Sequence, residues 1–190
     1  LAIGGLNIFA GIWGGVVFLS TNNGSSWTAV NNGLTSKVVS SLVISGNNIF
    51  AGTFEGKVFF STNNGSNWNA VNNGLTNTKA RTSLAVSSNG TIFAGFYNGG
   101  IYRSTDNGSN WNPVNNGLPN APYFFIVSVA IKENNIFTGI SGYGIYRSTD
   151  NGSNWIEVNN GFPYTEASSF AISGNSIFAG SGKGVFLSTN

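Results

Sequence analysis

The sequence predicts an all-β fold, a β-propeller with five blade positions, on three observations: a unit repeated every 41 to 44 residues, apolar runs too short for helices, and four such runs per unit. The tetrapeptide Ile-Phe-Ala-Gly starts at Ile8, Ile49, Ile92 and Ile177, and Ile-Phe-Thr-Gly starts at Ile136. Between clusters of Gly, Asn and Ser the apolar residues alternate or run for only four to six positions, which is strand and turn punctuation without a 3.6-residue period. Four short strands in a unit of this length mark a propeller blade. Units are expected to start near Leu1, Leu42, Leu84, Val129 and Phe170, so that residues 1–190 form a single propeller domain of four-stranded antiparallel meanders.

The second unit shows the order of elements. Strands are expected at about 41–44, 49–53, 57–61 and 67–71, with the Ser45-Gly46-Asn47-Asn48 turn joining the first two. The outer strand ends at Val-Asn-Asn-Gly, a motif found at Val30, Val71, Val114 and Val158, and equivalent outer strands are expected at 26–30, 110–114 and 154–158. The fifth unit reaches only Asn190, so its blade is expected to have three strands and an apolar edge at about 184–188. A closed ring is expected, with residues 1–10 beside that incomplete blade; the alternatives are a larger ring and self-association through the open edge.

Between the third and fourth strands stands a second motif. It comprises Ser20, Asn22, Gly24 and Trp27; Ser61, Asn63, Gly65 and Trp68; Ser104, Asp106, Gly108 and Trp111; and Ser148, Asp150, Gly152 and Trp155. The pattern Ser-x-Asp-x-Gly-x-x-Trp resembles the Asp-box, or BNR repeat, of sortilin-like, photosystem II assembly-factor-like and sialidase-type propellers. That resemblance implies a structural turn in each blade. Asp or Asn accepts hydrogen bonds from the turn backbone, Gly supplies positive φ, and the Trp is expected to be a core staple. Asn22, Asn63 and Asn190 replace the acidic residue, which disfavours a metal at the turn. Arg103 and Arg147 precede the two acidic boxes, and two readings stand: a compensated Arg–Asp pair beside a blade interface, or a recent duplication of one unit.

Composition excludes much chemistry. The chain has no His, Cys or Met, which removes zinc and haem ligation, disulfides, and Cys or Ser-His nucleophile pairs. No cofactor is expected. Only 7% of residues are charged against about 25% usually, and the eight cations are scattered, so no nucleic-acid partner is expected. The longest nearly apolar run, residues 121–131, is too short to span a bilayer. Leu1 without a charged, then apolar, leader suggests a processed form or a piece of a longer chain. The cysteine-free, Asn-, Ser- and Gly-rich composition suggests an extracytoplasmic or secreted protein.

An enzyme is not expected. Sialidase chemistry, as the resemblance implies, needs an arginine triad, an acid and a Tyr–Glu pair, but the chain holds only Arg81, Arg103 and Arg147, two of them at equivalent repeat positions. No motif places two of Glu55, Glu133, Glu157 and Glu166 the ~5–9 Å apart that glycoside hydrolysis uses. Binding is better supported. The first turn and the box turn hardly vary between units, whereas the second-to-third-strand tips and the links between blades do, and a meander brings both variable classes to one face. The candidate binding residues there are Trp13, Phe54, Tyr97, Tyr123, Tyr143 and Tyr164, facing a protein or peptide partner, or alternatively a glycan.

Overall fold

The computed structural model describes residues 1–14, 16–36, 38–76, 78, 81–120, 124–163 and 166–189. They form five antiparallel meanders in chain order. The first sheet is β1 (Ala2–Gly4), β2 (Asn7–Ile12), β3 (Val16–Ser20) and β4 (Thr28–Ala29); the second is β5 (Val39–Ser45), β6 (Asn48–Thr53), β7 (Val58–Ser61) and β8 (Asn69–Ala70). The third is β9 (Thr82–Val86), β10 (Ile92–Phe96), β11 (Gly100–Ser104) and β12 (Asn112–Pro113). The fourth is β13 (Phe125–Lys132), β14 (Asn135–Ser141), β15 (Gly144–Ser148) and β16 (Ile156–Glu157). The fifth has three strands, β17 (Ser169–Ser173), β18 (Ser176–Ser181) and β19 (Gly184–Ser188). The expected five-bladed propeller with a short last blade is thus the observed fold.

The core lies in the seams between sheets. Phe9, Val39, Ile49 and Trp68 fill the first seam, Phe50, Leu84, Ile92 and Trp111 the second, and Phe93, Ile126, Val129 and Trp155 the third. Ile145, Phe162, Ala167 and Ala179 fill the fourth. The repeated tetrapeptide makes these seams possible. A Cβ on its Gly would stand 2.6 Å from Val39 at Gly11, 2.9 Å from Thr82 at Gly52 and 2.3 Å from Ile126 at Gly95, each on the next sheet. Only a residue without a side chain lets the next sheet's first strand cross so closely.

The box turns are built alike. Ser20 Oγ donates to Asn22 Oδ1 at 3.0 Å and accepts from Gly24 N at 2.9 Å, while Asn22 Oδ1 accepts from Ser26 N at 2.9 Å. The residue after each Asx, at Asn23, Asn64, Asn107 and Asn151, takes the left-handed conformation that Asn tolerates. In the acidic boxes the second carboxylate oxygen also accepts a side-chain amide, from Asn110 to Asp106 at 2.8 Å and from Asn154 to Asp150 at 2.7 Å. These bonds, from the Asn154 side chain first and its backbone next, hold the Asp150 carboxyl at about 2 and keep Asp106 below the ordinary range.

The second, third and fourth boxes dock onto the preceding sheet through their tryptophans. The indole N–H of Trp68, Trp111 and Trp155 donates to the carbonyls of Val30, Val71 and Val114 at 2.9, 2.9 and 2.8 Å. The same residues' backbone N–H groups donate to Asn32, Asn73 and Asn116 carbonyls at 2.8, 3.0 and 2.9 Å. The fourth strands are two residues long and start later than the five-residue strands expected from sequence; in the second, third and fourth sheets the tryptophan amide before them bonds across the seam.

Three expectations are corrected. Trp27 is 41% exposed, against 3% for the other three box tryptophans, because among the described residues no sheet offers its indole the seat that the other three find. Arg103 does not pair with Asp106 or Asp150; its Nη1 donates to the Asn151 carbonyl of the next box at 2.8 Å, and amides and hydroxyls satisfy the carboxylates. The ring does not close through residues 1–10: a Cβ on Gly180 would meet only Ser169 of its own sheet, and Ile3 and Val185 are exposed.

Candidate functional site

A meander that starts at one end of the sheet returns its second-to-third-strand tips and inter-sheet links to the end opposite the box turns. Trp13 follows β2, Phe54 follows β6, Tyr97 follows β10, and Tyr143 lies in the turn after β14. All four are between 38% and 77% exposed, although each belongs to a residue class that normally seeks burial. Tyr123 and Tyr164, the other two candidates, lie outside the described residues.

The tips are anchored through their backbones. Phe54 N donates to the Val38 carbonyl at 2.9 Å and Tyr97 N to the Arg81 carbonyl at 3.0 Å, so each tip is tied to the strand entering its own sheet. Trp13 forms an isolated antiparallel bridge with the same Val38, which brings the first two tips together across a seam. The Trp13 and Phe54 rings lie 5.8 Å apart and tilted by 57°. Tyr97 stacks on Phe125 at 4.2 Å with 13° between planes. The structure therefore brings Trp13 to Phe54 and seats Tyr97 on Phe125. Phe125 was absent from the sequence-derived set, since its role depends on where the fourth sheet's first strand meets the third sheet's tip.

Charge at this end is sparse. Glu55 hydrogen-bonds Ser36, and Glu166 accepts from Ser141 Oγ at 3.0 Å, which ties links to neighbouring strands. Glu157 accepts from Asn159 Nδ2 at 2.8 Å, whereas Glu133 stands at the opposite end, in the turn between β13 and β14 at φ 55. Among the described residues no cluster of three or more carboxylates could hold a metal ion, and no helix is long and apolar enough to cross a membrane.

A family model described as the DUF6242 beta propeller domain matches residues 63–179. No curated protein matches the chain in sequence. Among solved structures, the extracellular domain of a putative one component system from B. thetaiotaomicron superposes with a TM-score of 0.78 at 13% identity, over 98% of this chain and 25% of that one. An ancestral GH74 enzyme gives 0.72 at 23% identity over 91% and 25%. YCF48 bound to D1 peptide gives 0.68 at 16% identity over 100% and 62%. The chain thus spans a quarter to three fifths of the length of these structures, and at such identities the likeness is one of fold.

Proposed function

The chain belongs to the DUF6242 beta propeller domain family, and from that premise we propose that it is a non-catalytic scaffold whose aromatic-tipped loop face binds an extended peptide or protein segment. One observation carries this reading: Trp13, Phe54 and Tyr97 are exposed at the residue following the second strand of three successive sheets, Tyr143 is exposed in the turn after the second strand of the next, and the Phe54 and Tyr97 backbones are fixed by hydrogen bonds to the entering strands. Exposed rings on a rigid frame lose little conformational entropy on binding. Ring pairs carried by successive sheets suit a ligand that is itself extended. The fold likeness to YCF48, which its structure shows bound to a peptide, agrees with this class of partner.

The four Ser-x-Asx-x-Gly-x-x-Trp turns are read as structural Asp-boxes, since their polar groups are spent on the turn and three of their tryptophans on the seams. A glycan ligand is the second reading, favoured by the Tyr97–Phe125 stack with its exposed ring face. The likeness to GH74 enzymes concerns fold and brings no catalytic residue with it. An extracytoplasmic location is proposed on composition, in keeping with the extracellular neighbour.

The test is to pan the chain against a displayed random-peptide library and, in parallel, a glycan array. Peptides retained by the native chain and lost by the W13A/Y97A variant at unchanged melting temperature support the proposal. Retention indifferent to the tips sinks it. Glycans alone, lost by the same variant, would move the assignment to the second reading.

A further inference from the structure

At the end of the sheets that carries the box turns, the seam between the third and fourth sheets opens into a cavity of about 280 Å³. Three departures from the repeat meet there. In the two preceding seams the residue that opens the second strand clasps the next sheet's box: Asn7 Nδ2 donates to Asn64 Oδ1 at 3.4 Å, and Asn48 Nδ2 donates to Asn107 Oδ1 at 3.3 Å. The third sheet has Thr91 at that position, one residue before Ile92, which pairs with Ser104 as Ile49 does with Ser61. Thr91 has no amide to offer Asn151, so the clasp is missing. The loop before it, residues 88–90, holds three residues where the other four sheets use two. Glu133, across the seam, takes φ 55 at the position of Gly5, Gly46 and Gly174, whose φ values are 61, 59 and 53. Glycine adopts that conformation freely and glutamate only at a cost.

The lining defines the chemistry. Phe93, Ile131 and Ile136 form an apolar floor, of which Ile131 is only half-buried. Asp150, on the wall, is already committed to its own turn: Oδ1 accepts from Ser148 Oγ and Asn154 N, and Oδ2 accepts from Asn154 Nδ2. The side chains of Ser88, Glu133, Asn134, Thr149 and Asn151, by contrast, hydrogen-bond no other described residue. No Lys or Arg stands among the described lining residues, and the nearby cations are engaged elsewhere, Lys132 Nζ with the Asn175 carbonyl and Arg103 with the Asn151 carbonyl. Two carboxylates without a lining cation repel an anionic ligand. One uncommitted, exposed carboxylate holds an ammonium group only weakly. Two hydroxyls, two amides and a carboxylate over an apolar floor match a neutral ligand that carries several hydroxyl groups on an apolar ring.

We propose that this cavity binds one neutral pyranose unit of a carbohydrate. Its hydroxyls donate to the Glu133 carboxylate and the amide oxygens of Asn134 and Asn151, and accept from the hydroxyls of Ser88 and Thr149, while its C–H face rests on Ile131. Glu133 supplies the strongest of these bonds, because a carboxylate accepts more strongly than a neutral oxygen. The site lies at the opposite end of the sheets from the aromatic tips, and the loop-face reading is independent of it.

The test is titration of the isotope-labelled chain with the methyl α-glycosides of glucose, galactose, mannose and N-acetylglucosamine, followed through backbone amide shifts. At least one glycoside is expected to shift the amides of residues 88–90, 133–134 and 149–151 saturably, with a dissociation constant of about 1–10 mM. Glu133→Gly keeps the turn, since glycine stands there in three other sheets, and relieves its left-handed strain. This variant should bind about tenfold more weakly, the loss of one charge-assisted hydrogen bond, at an unchanged or raised melting temperature. W13A/Y97A should bind the glycoside as the native chain does. The proposal is overturned if no glycoside gives a saturable shift up to about 50 mM, if the shifts fall at the aromatic tips alone, or if E133G binds undiminished. It is equally overturned if n-butylamine shifts the same amides at lower concentration than any glycoside, which would make the site one for an ammonium group.

Discussion

At the scale of single residues, the box turn shows how a carboxylate and an amide become interchangeable. Asn22 and Asp106 accept the backbone N–H four residues on at the same 2.9 Å, and each accepts the hydroxyl of the Ser two residues before. Replacing both acids, as D106N/D150N, is therefore expected to keep the turn but to lower the melting temperature at neutral pH slightly, since an amide nitrogen in place of Oδ2 cannot accept from the Asn110 and Asn154 side chains. The acid limb should differ. Because the Asp150 carboxyl is depressed from 3.8 to about 2 in the folded chain, its stabilisation is fully present above about pH 4 and is lost as pH falls towards 2. Thermal melts between those limits should decline more steeply for the native chain than for the double variant; equal slopes would show that hydrogen bonding to the carboxylates contributes nothing.

At the scale of the element, a box strand is only as stable as the sheet behind it. W111A is expected to cost about 3–5 kcal/mol by opening a seam, whereas W27A, whose ring has no seat, should cost about 1 kcal/mol or less. Glycines sort in the same way. Gly117 and Gly161 share a positive φ, so Ala at either position incurs about 1–2 kcal/mol of left-handed strain. Only at Gly117 does the added methyl also strike the Trp155 carbonyl, which should add about 1–3 kcal/mol. Chemical denaturation of the two variants checks the difference, and equal losses would mean that the seam yields.

At the scale of the whole molecule, the five described sheets are coupled through their neighbours in chain order. Stability in such an array is a sum of unit and interface terms, and among the described residues the first and fifth sheets each have one interface where the others have two. Native-state hydrogen exchange should follow suit: slowest in β6, β10 and β14, whose residues are mostly buried, and fastest in β1 and β19. Uniform protection across all sheets would instead indicate one cooperative ring. Far-UV circular dichroism should show no helical band, since all regular structure among the described residues is strand.

Local pattern sufficed for the strands, the turns and the blade count, because strand alternation, positive-φ glycines and Asx turns are short-range requirements written into every unit. It also separated the invariant end of the sheets from the variable end, since a meander allows only that assignment. The pairing of Trp13 with Phe54 and of Tyr97 with Phe125, the Arg103 bond to Asn151, and the different fates of Trp27 and Trp155 were decided by tertiary structure alone. Identical motifs carry no mark of whether a sheet stands before or behind them. That information resides in the seams, where burial and hydrogen bonding depend on residues about forty positions away, such as the 41 that separate Trp155 from the Val114 carbonyl it meets.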